Sequence, residues 1–128
     1  MIRTCVVLLA GLLANTALAE VRPRIAIIID DLGYALHPAE RLLALDLPMT
    51  FALLPNAPKA RRLAEAARRS GQEVIVHLPL QAMQQDDSHG ADEITIDMTA
   101  SQVRRAFSEA LKAVPFAVGI NNHRGSLL

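Results

Sequence analysis

The chain has 128 residues, with 13 basic and 13 acidic side chains, a formal net charge of zero and a sequence pI near 6.9. A balanced charge offers polyanions little to gather on, and with no Trp, one Tyr and three Phe the chain lacks the aromatic platforms on which single-stranded nucleic acid stacks. Nucleic acid is therefore excluded as a partner, and the basic pairs Arg61-Arg62, Arg68-Arg69 and Arg104-Arg105 fall in helical patterns where they read as solvated faces.

At the start of the chain Arg3 opens a short basic segment, residues 5–13 form an apolar stretch, and Ala17-Leu-Ala19 precedes Glu20. This is the layout of a secretory signal peptide over residues 1–19, cut after Ala19, which predicts export across the inner membrane to the periplasm. The apolar stretch is short for a bilayer span, so a retained anchor is the weaker alternative and no stable membrane insertion is expected once the signal is removed. Cys5, the single cysteine, would leave with it, and a packed core rather than disulfides must hold the mature chain together.

Residues 24–29 are apolar at odd and even positions after Arg24, which predicts a strand buried on both faces, and it runs straight into Asp30 and Asp31. Two adjacent carboxylates at the end of such a strand need a partner. Pro38 suits the start of a short helix that continues to Leu45 and is ended by Pro48. A second apolar strand over residues 49–54 gives way to the turn formers Pro55-Asn-Ala-Pro58, and a helix rich in Ala, Arg and Leu follows over 59–70, stopped by Gly71.

A third strand is expected over residues 73–78 and carries His77 near its end. Residues 81–97 turn polar and read as an exposed loop of the kind that borders sites. Thr99 and Gln102 then make a capping-box pattern ahead of a helix whose apolar positions Val103, Ala106, Phe107, Ala110, Leu111 and Val114 step by three and four. Pro115 stops it, and residues 116–120 are expected as a fourth strand that ends in Asn121-Asn122-His123-Arg124.

Strands alternating with helices imply an α/β fold with a parallel sheet, either open and doubly wound or part of a barrel. With only four strands a barrel would be unclosed, and the sequence reads as an incomplete domain lacking its carboxyl half. In a parallel sheet all strand carboxyl ends share one rim, where ligands bind. An aspartate of the Asp30-Asp31 pair, His77 and His123 would meet there, which is a ligand set suited to a catalytic zinc or similar divalent ion. Taken singly, each has an ordinary explanation: His77 as a core histidine, His123 as a loop residue, Asp31 as a cap. His37 and His89 read as solvated. No Gly-x-Ser-x-Gly elbow, cysteine nucleophile or phosphate-binding glycine loop offers a competing chemistry.

The three segments Ile-Ile-Asp-Asp-Leu-Gly-Tyr ending at Tyr34, Val-Ile-Val-His-Leu-Pro-Leu ending at Leu80, and Gly-Ile-Asn-Asn-His-Arg-Gly-Ser ending at Ser126 together resemble the divergent polysaccharide deacetylases. The resemblance covers roughly residues 24–126. It implies a distorted, incomplete (β/α) barrel of about four strands and three helices, and a metal-dependent hydrolase that removes N-acetyl or other acyl groups from a cell-envelope carbohydrate. On the family's pattern Asp30 would be the base, and Asp31, His77 and His123 would hold the metal. Asn121 and Asn122 could orient the ligands or bind a sugar hydroxyl. Arg124 departs from the Met usual at that position. A non-catalytic envelope protein that binds glycan or a protein partner through the same groove is the alternative reading.

Overall fold

Residues 23–84 and 93–128 are described by the computed structural model, so the expected signal segment and His89 lie outside the described residues. The elements follow in the order β1 (Ile28–Leu32), α1 (Leu36–Leu43), β2 (Thr50–Leu53), α2 (Ala60–Arg69), β3 (Glu73–Leu80), α3 (Ala100–Ala113) and β4 (Ile120–Arg124). The four strands form one sheet in the order β1-β2-β3-β4, every pair parallel. A doubly wound sheet reverses its winding at a switch point, whereas here each strand lies beside its predecessor. Right-handed crossovers in such a series place every helix on the same face, as in a (β/α) barrel. The sheet is a curled half-barrel carrying three helices.

Register and pleat sort the side chains into two sets. Phe51 pairs with Val74, Leu53 with Val76, and these four join Leu78 in the core beneath the helices, together with Ala39 of α1, Leu63, Ala64 and Ala67 of α2, and Ala110 of α3. Phe51, Leu53, Leu63, Val74 and Val76 are each at most 2% exposed. Full burial of side chains of this size contributes about 1.5–3 kcal/mol apiece, so this small set anchors the layer. The opposite face carries Ala52 beside Ile75, His77 beside Asn121, and Pro79 beside His123. In a barrel that face looks inward.

Helix α3 starts as its sequence demands. The Thr99 hydroxyl accepts from the Gln102 backbone N–H at 3.4 Å, and the Gln102 carboxamide oxygen accepts from the Thr99 N–H at 2.8 Å. Its buried stripe holds Ala110 and Val114, with Val103, Ala106 and Phe107 half-buried, while Leu111 faces outward. On the exposed side Glu109 accepts from Arg105 Nε at 2.9 Å, which holds that guanidinium's pKa above its ordinary value. Gly33, in the turn after β1, has φ +130° and lies so close to the turn leading into α2 that a Cβ there would stand 2.5 Å from Ala57 Cβ. Only glycine satisfies both demands.

Several segments differ from the expected boundaries: α1 spans Leu36–Leu43 rather than starting at Pro38 and reaching Leu45, and β3 runs on from 78 to Leu80. The fourth strand is not 116–120 but Ile120–Arg124: Phe116 has φ +67°, outside the strand region, so the Asn-Asn-His segment lies within the sheet. Likewise β1 begins at Ile28 and runs through both aspartates to Leu32. The apolar run before the aspartates is not buried on both faces as expected, with Ile25, Ile27 and Ile28 exposed, and ladder hydrogen bonds continue across polar residues wherever a neighbouring strand is present. Residues 81–97 are not uniformly exposed. Ile94 N–H donates to the Pro79 carbonyl at 3.0 Å, Gln81 N–H donates to the Ile94 carbonyl at 2.9 Å, and Gln81, Glu93 and Ile94 are buried against the end of β3.

Candidate metal centre

Asp30 and Asp31 are neighbours, and in a regular strand neighbouring side chains point to opposite faces. The register of β1 shows why they do not here. Ile29 pairs with Phe51 and Leu32 with Leu53, so β1 takes one more residue than β2 over the same stretch, a β-bulge. Asp31 absorbs it with φ +59°, a left-handed conformation that aspartate tolerates better than most residues. Asp31 thereby turns toward His77 and His123, and Asp30 toward Asn121, so both carboxylates serve the same inward face.

The register of β3 and β4 supplies the rest. His77 is opposite Asn121 and Pro79 opposite His123, so Asn121 and His123, two residues apart on β4, share the face that His77 occupies on β3. Three donor atoms converge: His123 Nδ1 lies 2.9 Å from Asp31 Oδ1, His77 Nε2 lies 3.1 Å from the same oxygen, and His123 Nδ1 lies 3.1 Å from His77 Nε2. The imidazole rings meet edge to face with centroids 4.8 Å apart. The His77 side chain is 5% exposed, that of His123 31% and that of Asp31 67%, which is a site closed beneath and open above.

This donor set fits a divalent metal ion. Two imidazole nitrogens and a carboxylate oxygen are borderline ligands of the kind zinc accepts, and together they carry one negative charge with a coordination position left for water or substrate. The three donor atoms lie close enough together that Asp31, His77 and His123 would hold one such ion between them. Closely spaced lone pairs repel, so the cluster requires a cation or a shared proton between them. The wall behind the ligands is equally specific. His77 Nδ1 lies 2.9 Å from Asn121 Oδ1, and Asn121 Nδ2 donates to Asp30 Oδ1 at 2.9 Å.

Of the residues singled out from the sequence, Asp30, Asp31, His77, Asn121 and His123 come together. Asn122 does not: it pairs with Leu78 on the helix-facing side, and its Nδ2 donates to the Arg124 carbonyl at 2.7 Å. Arg124 pairs with Leu80, has φ +64°, and donates from Nη2 to the Gln84 carbonyl at 3.3 Å. His37 is an exposed residue of α1. Gln81 and Ser126 were not singled out and brace the rim. Gln81 Oε1 accepts from Ile96 N–H at 2.9 Å, and Ser126 Oγ accepts from Met83 N–H at 3.0 Å. Their signal in the sequence was only their position just beyond the strand ends. A groove of about 320 Å³ beside α3, lined by Pro55, Asn56, Met98, Arg105 and Glu109, includes none of the ligand residues.

The chain is 38% identical over 103 residues to the uncharacterized protein YibQ of Escherichia coli K12, an alignment covering 80% of this chain and 32% of the relative. It is 32% identical over 114 residues to an uncharacterized protein of Haemophilus influenzae, covering 87% of this chain and 39% of that one. The chain therefore spans well under half the length of these curated relatives. The crystal structure of the uncharacterized protein ATU2773 from Agrobacterium tumefaciens C58 shares the fold, with a TM-score of 0.66 at 19% identity over 78% of this chain and 42% of that one. The family model described as divergent polysaccharide deacetylase matches residues 27–128, a span that contains both aspartates, both histidines and Asn121, and the chain accordingly belongs to the divergent polysaccharide deacetylase family.

Proposed function

We propose that this site belongs to a zinc-dependent hydrolase that removes acyl groups, N-acetyl groups foremost, from a carbohydrate of the cell envelope, the chain being exported to the periplasm by its amino-terminal signal. The observation that carries the reading is the triangle of Asp31 Oδ1, His77 Nε2 and His123 Nδ1, with edges of 2.9–3.1 Å, beside a second carboxylate that is tethered but not part of it. A divalent ion held by these three residues would supply Lewis-acid polarisation of the acyl oxygen and acidify the attacking water.

The chain's own residues do the remaining work. Asp30, held by Asn121 Nδ2, accepts the proton of the water as its oxygen bonds to the acyl carbon. Collapse of the tetrahedral species breaks the C–N bond, and the proton returns to the departing amine. Asn121 and the buried ring of His77 keep the base and the ligands in fixed relation. The open upper side at Asp31 leaves room for a glycan chain to lie across the rim.

The test is acetate release from N-acetylated oligosaccharides by zinc-loaded protein and by Asp30→Asn. Hydrolysis by the parent protein, with Asp30→Asn still loaded at saturating zinc but releasing at least a hundredfold less acetate, is the expected result, since general-base catalysis contributes about 10²–10⁴-fold. Retained glycan affinity with no release by the parent protein would instead identify a binding module.

A further inference from the structure

Asn121 makes two contacts whose chemistry cannot be chosen independently. An ionised carboxylate only accepts hydrogen bonds, so the Asn121 atom facing Asp30 Oδ1 at 2.9 Å must be the amide nitrogen. The other end of the carboxamide, which faces His77 Nδ1 at 2.9 Å, is then its oxygen and can only accept. His77 must therefore carry a proton on Nδ1, while its Nε2 faces Asp31 Oδ1 and His123 Nδ1 at 3.1 Å, where by the same rule a bound cation or a shared proton must lie between them.

We infer that Asn121 is a positioning residue that lets the Asp30 carboxylate dictate the tautomer of His77, so that the base and the metal ligand are set as a single unit. This rests on the proposed reading of the site only for its purpose; the relay itself is a property of the metal-free chain. The location makes it effective. Asn121 and His77 are direct register partners on adjacent strands, and His77 is 4% exposed, so neither solvent nor another side chain competes readily for its Nδ1 proton. The opposite tautomer would require Asn121 to turn its oxygen toward the Asp30 carboxylate, two acceptors 2.9 Å apart.

Three substitutions separate the two ends of the relay. Asn121→Asp keeps an acceptor for His77 Nδ1–H but removes the donor to Asp30. Asn121→Leu removes both. Asp30→Asn leaves the carboxamide of Asn121 free to face either way. Each is followed by long-range nitrogen–proton NMR of the imidazoles in the metal-free protein, which reports the protonated ring nitrogen directly, and by zinc titration.

The expected results are a proton held on His77 Nδ1 in the parent chain and in Asn121→Asp, partial loss of that Nδ1 proton in Asn121→Leu and Asp30→Asn, and a 10–100-fold loss of zinc affinity in Asn121→Leu, the usual range for removing a ligand's hydrogen-bond partner. A parent chain whose His77 Nδ1 carries no proton overturns the inference without any variant. So does an Asn121→Leu protein whose His77 tautomer is unchanged. Nδ1–H in a parent chain that binds no zinc would uphold the relay and overturn the proposed metal chemistry instead.

Discussion

Substituting His123 by alanine removes one corner of the ligand triangle at small structural cost, which makes it the clearest probe of the site. The ring is 31% exposed and its contacts run to Asp31 and His77 at 2.9 and 3.1 Å, so the metal-free variant should lose no more than about 1 kcal/mol of stability. Zinc at a hundredfold excess over its dissociation constant stabilises the folded parent chain by about 2.7 kcal/mol. For a domain of this size that is a rise in Tm of roughly 10–20 °C. With only two donors left the rise should vanish in the variant at the same zinc concentration. Thermal unfolding followed by circular dichroism, after chelation and again after zinc is restored, measures both quantities in one series. A zinc-dependent rise in His123→Ala equal to that of the parent, or none in the parent, would refute the three-residue assignment.

His77→Ala should behave differently from His123→Ala, because the ring is 4% exposed and its loss leaves both a cavity and an Asn121 oxygen without its donor; about 2–4 kcal/mol of stability should go even without metal, read by urea unfolding. Gly33→Ala combines an unfavourable φ of +130° with a Cβ only 2.5 Å from Ala57 Cβ and should cost about 2–4 kcal/mol by the same measurement, whereas a variant as stable as the parent would contradict the close approach of the β1 turn to the turn leading into α2. Leu63→Ala, at a side chain 1% exposed in the helix-facing core, should cost about 2–5 kcal/mol while leaving the zinc-dependent increment intact. Thr99→Ala should remove about 1 kcal/mol through loss of the α3 cap, and amide exchange should then quicken at Gln102.

The elements themselves were legible because local chemistry decides them. Thr99 and Gln102 mark the start of α3 by a reciprocal pair of bonds that involves no residue outside that turn. Gly71 follows α2, and the helix ends at Arg69 just before it. The candidate ligands were legible too, as ionisable residues gathered at the ends of three apolar runs. What misled was the use of hydropathy for strand limits. The polar Asn121, Asn122 and His123 lie inside β4, which is paired along its length with β3, whereas residues 116–119 precede it, Phe116 at φ +67° and only Val118 and Gly119 bonded to Val74 and Val76 of β3. The same reasoning treated Asn121 and Asn122 alike, although adjacent residues of a strand face opposite ways and only the register with His77 and Leu78 tells which looks inward.

The residue types, their order and their membership of alternating strands and helices were determined by the sequence, through propensity, capping and hydrophobic pattern, all of which act over a few residues. Whether two neighbouring aspartates could serve one face was decided only in three dimensions, by a bulge in β1 that exists because β2 offers one partner too few and that Asp31 fills at φ +59°. The meeting of Asp31, His77 and His123 was decided there as well, since side chains 46 residues apart in the chain come within 3.1 Å only when parallel strands are set in register.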